Sequence, residues 1–325
     1  MPENLDAKLR AEAKRLLTEE KVDVVIGFQK GSLPIRMQPL FARTAQEAEK
    51  LTMNGLGANN LAVYLNHQSK NERMAIVCRG CESRAIQTML LENRHAREDL
   101  YLIGVPCDGI LDVHKLERAV EEPILSINEE DDKVKVKTKR GEHEVSRVEV
   151  LHDACLHCTH PEPINTDIFL EGEGFIKPEM FDKSYTASFR GLSREERYAR
   201  FQAEAERCIR CYACREACPM CYCEECFVDH SRPQWTDSTI APAGQHAWHI
   251  IRAFHQAGRC VSCGACERAC PMEIKMTYLT DLLNEDIFEK YAFEPGMDAE
   301  TQPPFLTLDP EEARHFAHKE ADNAD

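Results

Sequence analysis

Cys208-Ile-Arg-Cys211-Tyr-Ala-Cys214-Arg-Glu-Ala-Cys218-Pro219 returns with identical steps as Cys260-Val-Ser-Cys263-Gly-Ala-Cys266-Glu-Arg-Ala-Cys270-Pro271. Steps of three residues wrap the backbone around one iron–sulfur cube, so that three thiolates reach three of its irons. The fourth cysteine, followed by a helix-ending proline, points away toward a second cube. The spacing therefore assigns one 4Fe–4S cluster to Cys208, Cys211, Cys214 and Cys270, and another to Cys260, Cys263, Cys266 and Cys218. Zinc or disulfides are the alternatives, but zinc needs only paired C-x2-C elements, and a doubled four-cysteine run ending in Cys-Pro is far more specific. Residues in this pattern move single electrons.

Around that pair, 325 residues leave room for two domains with real cores. The formal net charge of −16 argues against nucleic acid or an anionic membrane surface as partner, and suits a basic patch on a redox protein. The sixteen cysteines follow a start, Met1-Pro2-Glu3-Asn4, that lacks the apolar core of a secretion signal, and no window reaches the apolar run of a membrane span. Clustered cysteines without such a signal point to metal in a reducing cytoplasm.

Residues 1–21 read as an N-terminal amphipathic helix marked by Leu5, Leu9, Leu16 and Leu17. A strand is expected at Val22–Phe28, and Thr44 with Glu47 forms a capping box opening a helix. Met74–Cys78 reads as a buried strand, 83–97 as a helix with Ile86, Met89 and Leu90 inward, and Leu100–Val105 as a second buried strand. Strand, helix, strand at this spacing is a βαβ unit, hence part of a parallel sheet. A helix is expected from Asp112, and 133–151 alternates as strands around Gly141, so 22–180 is an α/β domain. Pro161, Pro163, Gly172, Gly174 and Pro178 loosen its end. Ser193 with Glu196 then opens a helix that delivers the chain to Cys208, beginning a mainly α-helical unit over 193–290. Between the cysteine runs, Ala247, Ile250, Ile251 and Phe254, ending at Gly258, mark a helix; 291–325 reads as an acidic tail with Pro303 and Pro304.

A third site is suggested in the α/β domain. Cys81 and Cys107 follow neighbouring strands of the βαβ unit, so both emerge at the carboxyl edge of the sheet, where such folds place their sites. If a strand near Leu151 ends at the same edge, Cys155 and Cys158 close a ring of four thiols. A structural zinc there is the alternative to a cluster. Cys221, Cys223 and Cys226 are too dense for chance and suggest a further site, zinc or a fourth cluster, whose fourth ligand stays open. Cys78 would complete four sets of four, but it falls inside a strand and reads as a buried thiol acting as a small hydrophobe. His152, His157 and His160 crowd the C-x2-C pair in surface or supporting roles. His246, His249 and His255 read as solvated, and Trp248 and Phe254 as core. Lys30, Arg36 and Arg43 read as a solvated basic edge, with a flavin phosphate as the alternative. No G-x-G-x-x-G is present, since Gly55-Leu-Gly57-Ala-Asn-Asn60 does not complete one.

Arg79-Gly-Cys-Glu-Ser-Arg84, Gly104-Val-Pro-Cys-Asp-Gly-Ile-Leu-Asp112 and Cys155-Leu-His-Cys-Thr-His-Pro161 resemble the beta-subunit family of deazaflavin-coenzyme-reducing hydrogenases and formate dehydrogenases, especially members associated with heterodisulfide reductases. The likeness covers about residues 22–180; from about 205 to 285 the chain resembles two-cluster ferredoxins of the all-helical kind. The resemblance implies a third 4Fe–4S cluster on Cys81, Cys107, Cys155 and Cys158. It implies an electron-relaying subunit between a hydrogenase, formate dehydrogenase or NAD(P)H-type donor and a heterodisulfide-reductase-like partner. The alternative it also implies is an FAD-containing oxidoreductase subunit exchanging hydride with a deazaflavin or nicotinamide coenzyme.

Overall fold

A computed structural model of the chain describes residues 3–67, 72–130, 132–172 and 184–305. A five-stranded sheet runs in the order β2-β1-β3-β4-β8, from β1 (Val24–Lys30), β2 (Met37–Ala42), β3 (Met74–Cys78), β4 (Leu100–Gly104) and β8 (Ile168–Phe169). All pairings are parallel except the β1–β2 hairpin, and β3 is buried along its whole length. That burial explains the unbroken apolar run Met74-Ala-Ile-Val, because a central parallel strand is covered on both faces. The expected βαβ unit is present, with α3 (Gly80–Leu91) as its crossover. Helix α1 (Glu3–Thr18) lays Leu5, Leu9 and Leu16 into the core. Helix α2 (Ala45–Ala48) carries the full Thr44–Glu47 capping box, although it is only one turn long.

One expectation fails. No strand ends near Leu151: 148–150 is a 3-10 turn, and Leu151 forms a single antiparallel bridge with Leu111. The alternating region instead builds a separate antiparallel sheet, β5 (Ile124–Glu130), β6 (Lys133–Thr138) and β7 (Glu142–Ser146). Strand β6 buries Val134, Val136 and Thr138 and exposes the lysines between them. A strand with one solvated face belongs in such a meander and cannot fill a slot in a covered parallel sheet. Asp112 caps α4 (Val113–Val120) by accepting from the amides of His114 and Lys115, and α4 packs on this second sheet.

The carboxyl region is helical: α6 (Ser184–Arg190), α7 (Arg194–Ala205) behind its Ser193–Glu196 capping box, single turns α8 (Ala213–Glu216) and α10 (Ala265–Arg268), and long helices α9 (Pro242–Gln256) and α11 (Thr277–Tyr291). The two regions share one core, since Met220 and Val261 are buried in the cluster that contains β1, β3 and β4. Beyond α11 the chain packs on α3: Arg84 donates to the Pro295 carbonyl at 2.8 Å, and Phe293 is buried. Gly174, Pro178 and residues 306–325 of the expected tail lie outside the described residues.

Candidate metal centres

The two cysteine runs adopt one backbone conformation. Arg210 and Tyr212 have positive φ (56° and 59°), and so do their counterparts Ser262 and Gly264 (54° and 68°). Each run then enters a single helical turn, α8 or α10. In each, the amide two residues past the first cysteine donates to its sulfur, Arg210 N to Cys208 and Ser262 N to Cys260, both at 3.4 Å. Such left-handed turns point successive amides inward, a concavity suited to an anionic centre.

Cys208 and Cys214 each have Cys211 and Cys270 as neighbours, while Cys260, Cys263 and Cys266 each have Cys218. Each fourth cysteine thus faces the opposite trio. Cys208, Cys211, Cys214, Cys266 and Cys270 also line one shared hollow. Burial pushes Cys260 and Cys107 up to about 12 and raises Cys218 and Cys266 as well, with contact from Cys221 the first cause for Cys218. For these four thiols the proton is held more tightly than in water, and a centre supplying positive charge would draw it off. Among the described residues no three Cys, His, Asp or Glu come together in single-ion geometry. Donor type, number and burial fit an iron–sulfur cube.

In the amino-terminal domain a cavity of 530 Å³ is lined by Cys81, Cys107, Cys155 and Cys158 together with Cys263. Cys78 pairs in register with Gly104, so Cys81 and Cys107, each three residues further on, stand level at the carboxyl edge of β3 and β4. The sheet therefore sets two of the four thiols. The other pair arrives by the turn α5 (Asp153–Leu156), not from a strand: Ile110 N donates to the Cys155 sulfur at 3.3 Å. Gly80 lets this loop close, because a Cβ there would strike the His160 carbonyl, and Gly80 N donates to Pro161 O at 3.2 Å. Arg79 and Glu82 fix the α3 entrance as a buried ion pair at 2.6 Å. Arg79 also donates to the Gly57 carbonyl at 2.9 Å, so the Gly55–Asn60 segment is a strap under this site.

Cys263 faces Cys81 and Cys158 as well as Cys218, which sets the amino-terminal ring against the second run. Asp153 ties the two regions by ion pairs to Lys115 (2.6 Å) and Lys275 (2.8 Å). Burial alone would raise its carboxyl, but the two lysines overcome that and hold it at about 2.

Cys221, Cys223 and Cys226 share a 710 Å³ hollow with Arg94, Arg215, Arg252 and Arg259. Cys221 lies against Cys218, and contact with that thiol lowers it. Cys78 is fully buried in β3 within the core and is no fourth member of this group. His152 is buried, and desolvation with Arg268 nearby pushes it down to about 3. His160 sits half-buried beside Arg84, its Nδ1 3.3 Å from the guanidinium. Lys30, Arg36 and Arg43 belong to the β1–β2 hairpin and its exit and line none of these cavities; Arg43 pairs with Glu72.

Helix α9 overturns its expected facing. Trp248 is core as expected, but Phe254 and Ile250 are exposed, while Gln245, His249, Arg252 and Gln256 are buried toward the cysteine runs. His249, expected in solvent, is pushed down to about 4 by desolvation. The signal was legible as spacing, since these four residues share one helical stripe, but polar residues in a stripe ordinarily mean a solvated face. Arg84 and Arg268 were also missed. Arg268 bridges the halves, donating to the carbonyls of Ala58 and Cys263, each at 2.7 Å.

A family model described as a 4Fe–4S dicluster domain matches residues 204–274. F420-dependent formate dehydrogenase subunit beta of Methanocaldococcus jannaschii is 23% identical over 350 residues, spanning 90% of this chain and 92% of its own length. F420-dependent formate dehydrogenase 1 subunit beta of Methanococcus maripaludis is 24% identical over 357 residues, spanning 89% and 90%. Among solved structures, a chain of the F420-reducing NiFe hydrogenase complex from Methanosarcina barkeri aligns with 47% of this chain and 57% of its own, at 17% identity and a TM-score of 0.39. No described helix is long and apolar enough to cross a membrane. Along about nine-tenths of its length the chain is similar to these F420-dependent formate dehydrogenase beta subunits, and its helical region matches the 4Fe–4S dicluster model.

Proposed function

We propose that this chain is an electron-relaying subunit of an oxidoreductase complex, with 4Fe–4S clusters on the two crossed cysteine sets and a third on Cys81, Cys107, Cys155 and Cys158. One observation carries the reading: Cys263 faces Cys218 of its own set and also Cys81 and Cys158 of the amino-terminal ring. Bound clusters of this type accept and release single electrons. The chain's residues supply the rest. On this reading twelve thiols form three adjacent groups, with the first run at one end and the amino-terminal ring at the other. Backbone amides donate to Cys208, Cys260 and Cys155, stabilising the thiolate forms. Cys107, Cys260 and Cys263 are half-buried, whereas Cys211 is exposed and makes the first run the open end. The relatives' names support a formate dehydrogenase setting; a hydrogenase or NAD(P)H-type donor as alternative and a heterodisulfide-reductase-like acceptor complete the proposal.

Anaerobically purified protein should hold about twelve irons and as many acid-labile sulfides per chain. In Cys218→Ser the cluster of the second run should disappear from the EPR spectrum while that of the first persists, and Cys270→Ser should do the reverse. Protein without iron, or substitutions acting on their own runs, would end the reading. Stoichiometric FAD in the denatured extract would favour hydride exchange in the amino-terminal domain instead.

A further inference from the structure

Helix α9 hands a polar side chain to each cysteine loop it passes. Gln245 donates to the Cys208 carbonyl. Arg252 donates to the Cys214 carbonyl at 3.2 Å, and Gln256 lies between the Cys218 and Cys221 sulfurs at 3.6 and 3.4 Å. Arg252 is the one arginine among the buried polar residues of α9. It is 9% exposed and lines the hollow of Cys208, Cys214, Cys266 and Cys270. It also borders the separate hollow of Cys221, Cys223 and Cys226. Its field reaches Cys266, Cys218, Cys214 and Cys221, which belong to both runs and to the segment beyond them.

Three of the other buried arginines have carboxylates, Arg79 with Glu82, Arg147 with Glu129 and Arg84 with Glu294, and Arg210 spends Nε, Nη1 and Nη2 on the Tyr212 hydroxyl and the Gly244 and Asp237 carbonyls. Among the described residues no carboxylate pairs with Arg252, and its Nε has no hydrogen-bond partner. A buried cation with an unsatisfied donor is strongly disfavoured, and an anionic centre opposite it would remove that cost. The groups facing it are thiols, and a cube held by four thiolates is anionic.

We propose, resting on the cluster reading above, that Arg252 is a positioning residue shared by the two ferredoxin-type clusters: it balances the charge of both and sets their reduction potentials together. One electron entering either cluster makes it more negative. A fixed cation nearby stabilises the reduced form more than the oxidised one, so both potentials rise and stay matched.

The test is a potentiometric titration of the anaerobic holoprotein followed by EPR, with iron counted on every sample. Arg252→Gln should retain wild-type iron and move both ferredoxin-type potentials negative, leaving the amino-terminal cluster in place; Arg252→Lys should restore most of the shift. Full iron with unmoved potentials, a shift confined to one cluster, or a lysine variant as displaced as the glutamine would overturn the assignment. Should the glutamine variant fail to load, a loaded lysine variant with near-wild-type potentials supports the role of charge, and a lysine variant that also fails refutes it. An unmutated protein without iron fails earlier, at the cluster reading itself.

Discussion

Gly264 marks the seam between the second cysteine run and the turn that carries Cys155, and it can be probed by one added methyl group. Its φ of 68° lies in the left-handed region, and a Cβ built on it would overlap the Ala154 Cβ, with Arg268 Nη1 next at 3.3 Å and the Ala154 Cα at 3.8 Å. Gly264→Ala should therefore cost ~1 kcal/mol of backbone strain. Overpacking against Ala154 adds ~1–3 kcal/mol. At about 2 °C per kcal/mol for a chain of this size, the anaerobic thermal midpoint should fall by roughly 4–8 °C. Ala154→Gly removes the obstructing atom at a cost of its own of ~1 kcal/mol. The double variant should keep the strain and that cost but recover the overlap. The cycle should thus show ~1–3 kcal/mol of favourable coupling, where independent sites agree within ~0.5 kcal/mol. Strict additivity would mean that the two loops do not touch, and that the amino-terminal ring does not stand against Cys263.

Two further outcomes test neighbouring features. Glu267 is buried and its Oε1 accepts from Met276 N, Thr277 N and Thr277 Oγ1 at 2.7–2.8 Å, closing the α11 N-terminus; Glu267→Ala should lower stability by about 3–5 kcal/mol, read from urea unfolding. Cys78→Ala should cost ~1–2 kcal/mol through the small void it leaves in β3 while the iron count stays at the wild-type value; a variant that loses iron would make Cys78 a ligand.

The parts legible in the sequence were those whose signal is local. Met74–Cys78, the Thr44 and Ser193 capping boxes and the Asp112 cap all came through because each depends on a few adjacent side chains. The level placement of Cys81 and Cys107 followed from strand pairing alone. The route to Cys155 did not, because alternation in 133–151 specifies strands without saying which sheet they join. The hairpin strand Met37–Ala42 was hidden by Pro39, and Ile168–Phe169 is too short to show periodicity. Helix α9 was read with its faces exchanged. Apolarity normally marks the inner face, but here the inner neighbours are cysteine loops rather than hydrocarbon, so Gln245, Arg252 and Gln256 turn in and Phe254 turns out.

The same reasoning explains why the two halves cannot be treated as modules on a string. Met220 and Val261 each directly adjoin a cysteine run, and both are buried in the core built on β1, β3 and β4. Arg268 reaches back to the Ala58 carbonyl, and Arg259 pairs with Glu92 at the end of α3. These contacts leave the second run little freedom to pivot away from the amino-terminal ring. A relay needs that constraint, because transfer between centres falls steeply with separation and a hinged joint would interrupt it. Cutting the chain in the segment before Ser193 should therefore expose the apolar faces of Met220 and Val261 and leave a carboxyl fragment that self-associates, rather than an independent small ferredoxin. A fragment that remains monomeric in sedimentation and keeps two clusters would show that the shared core is dispensable.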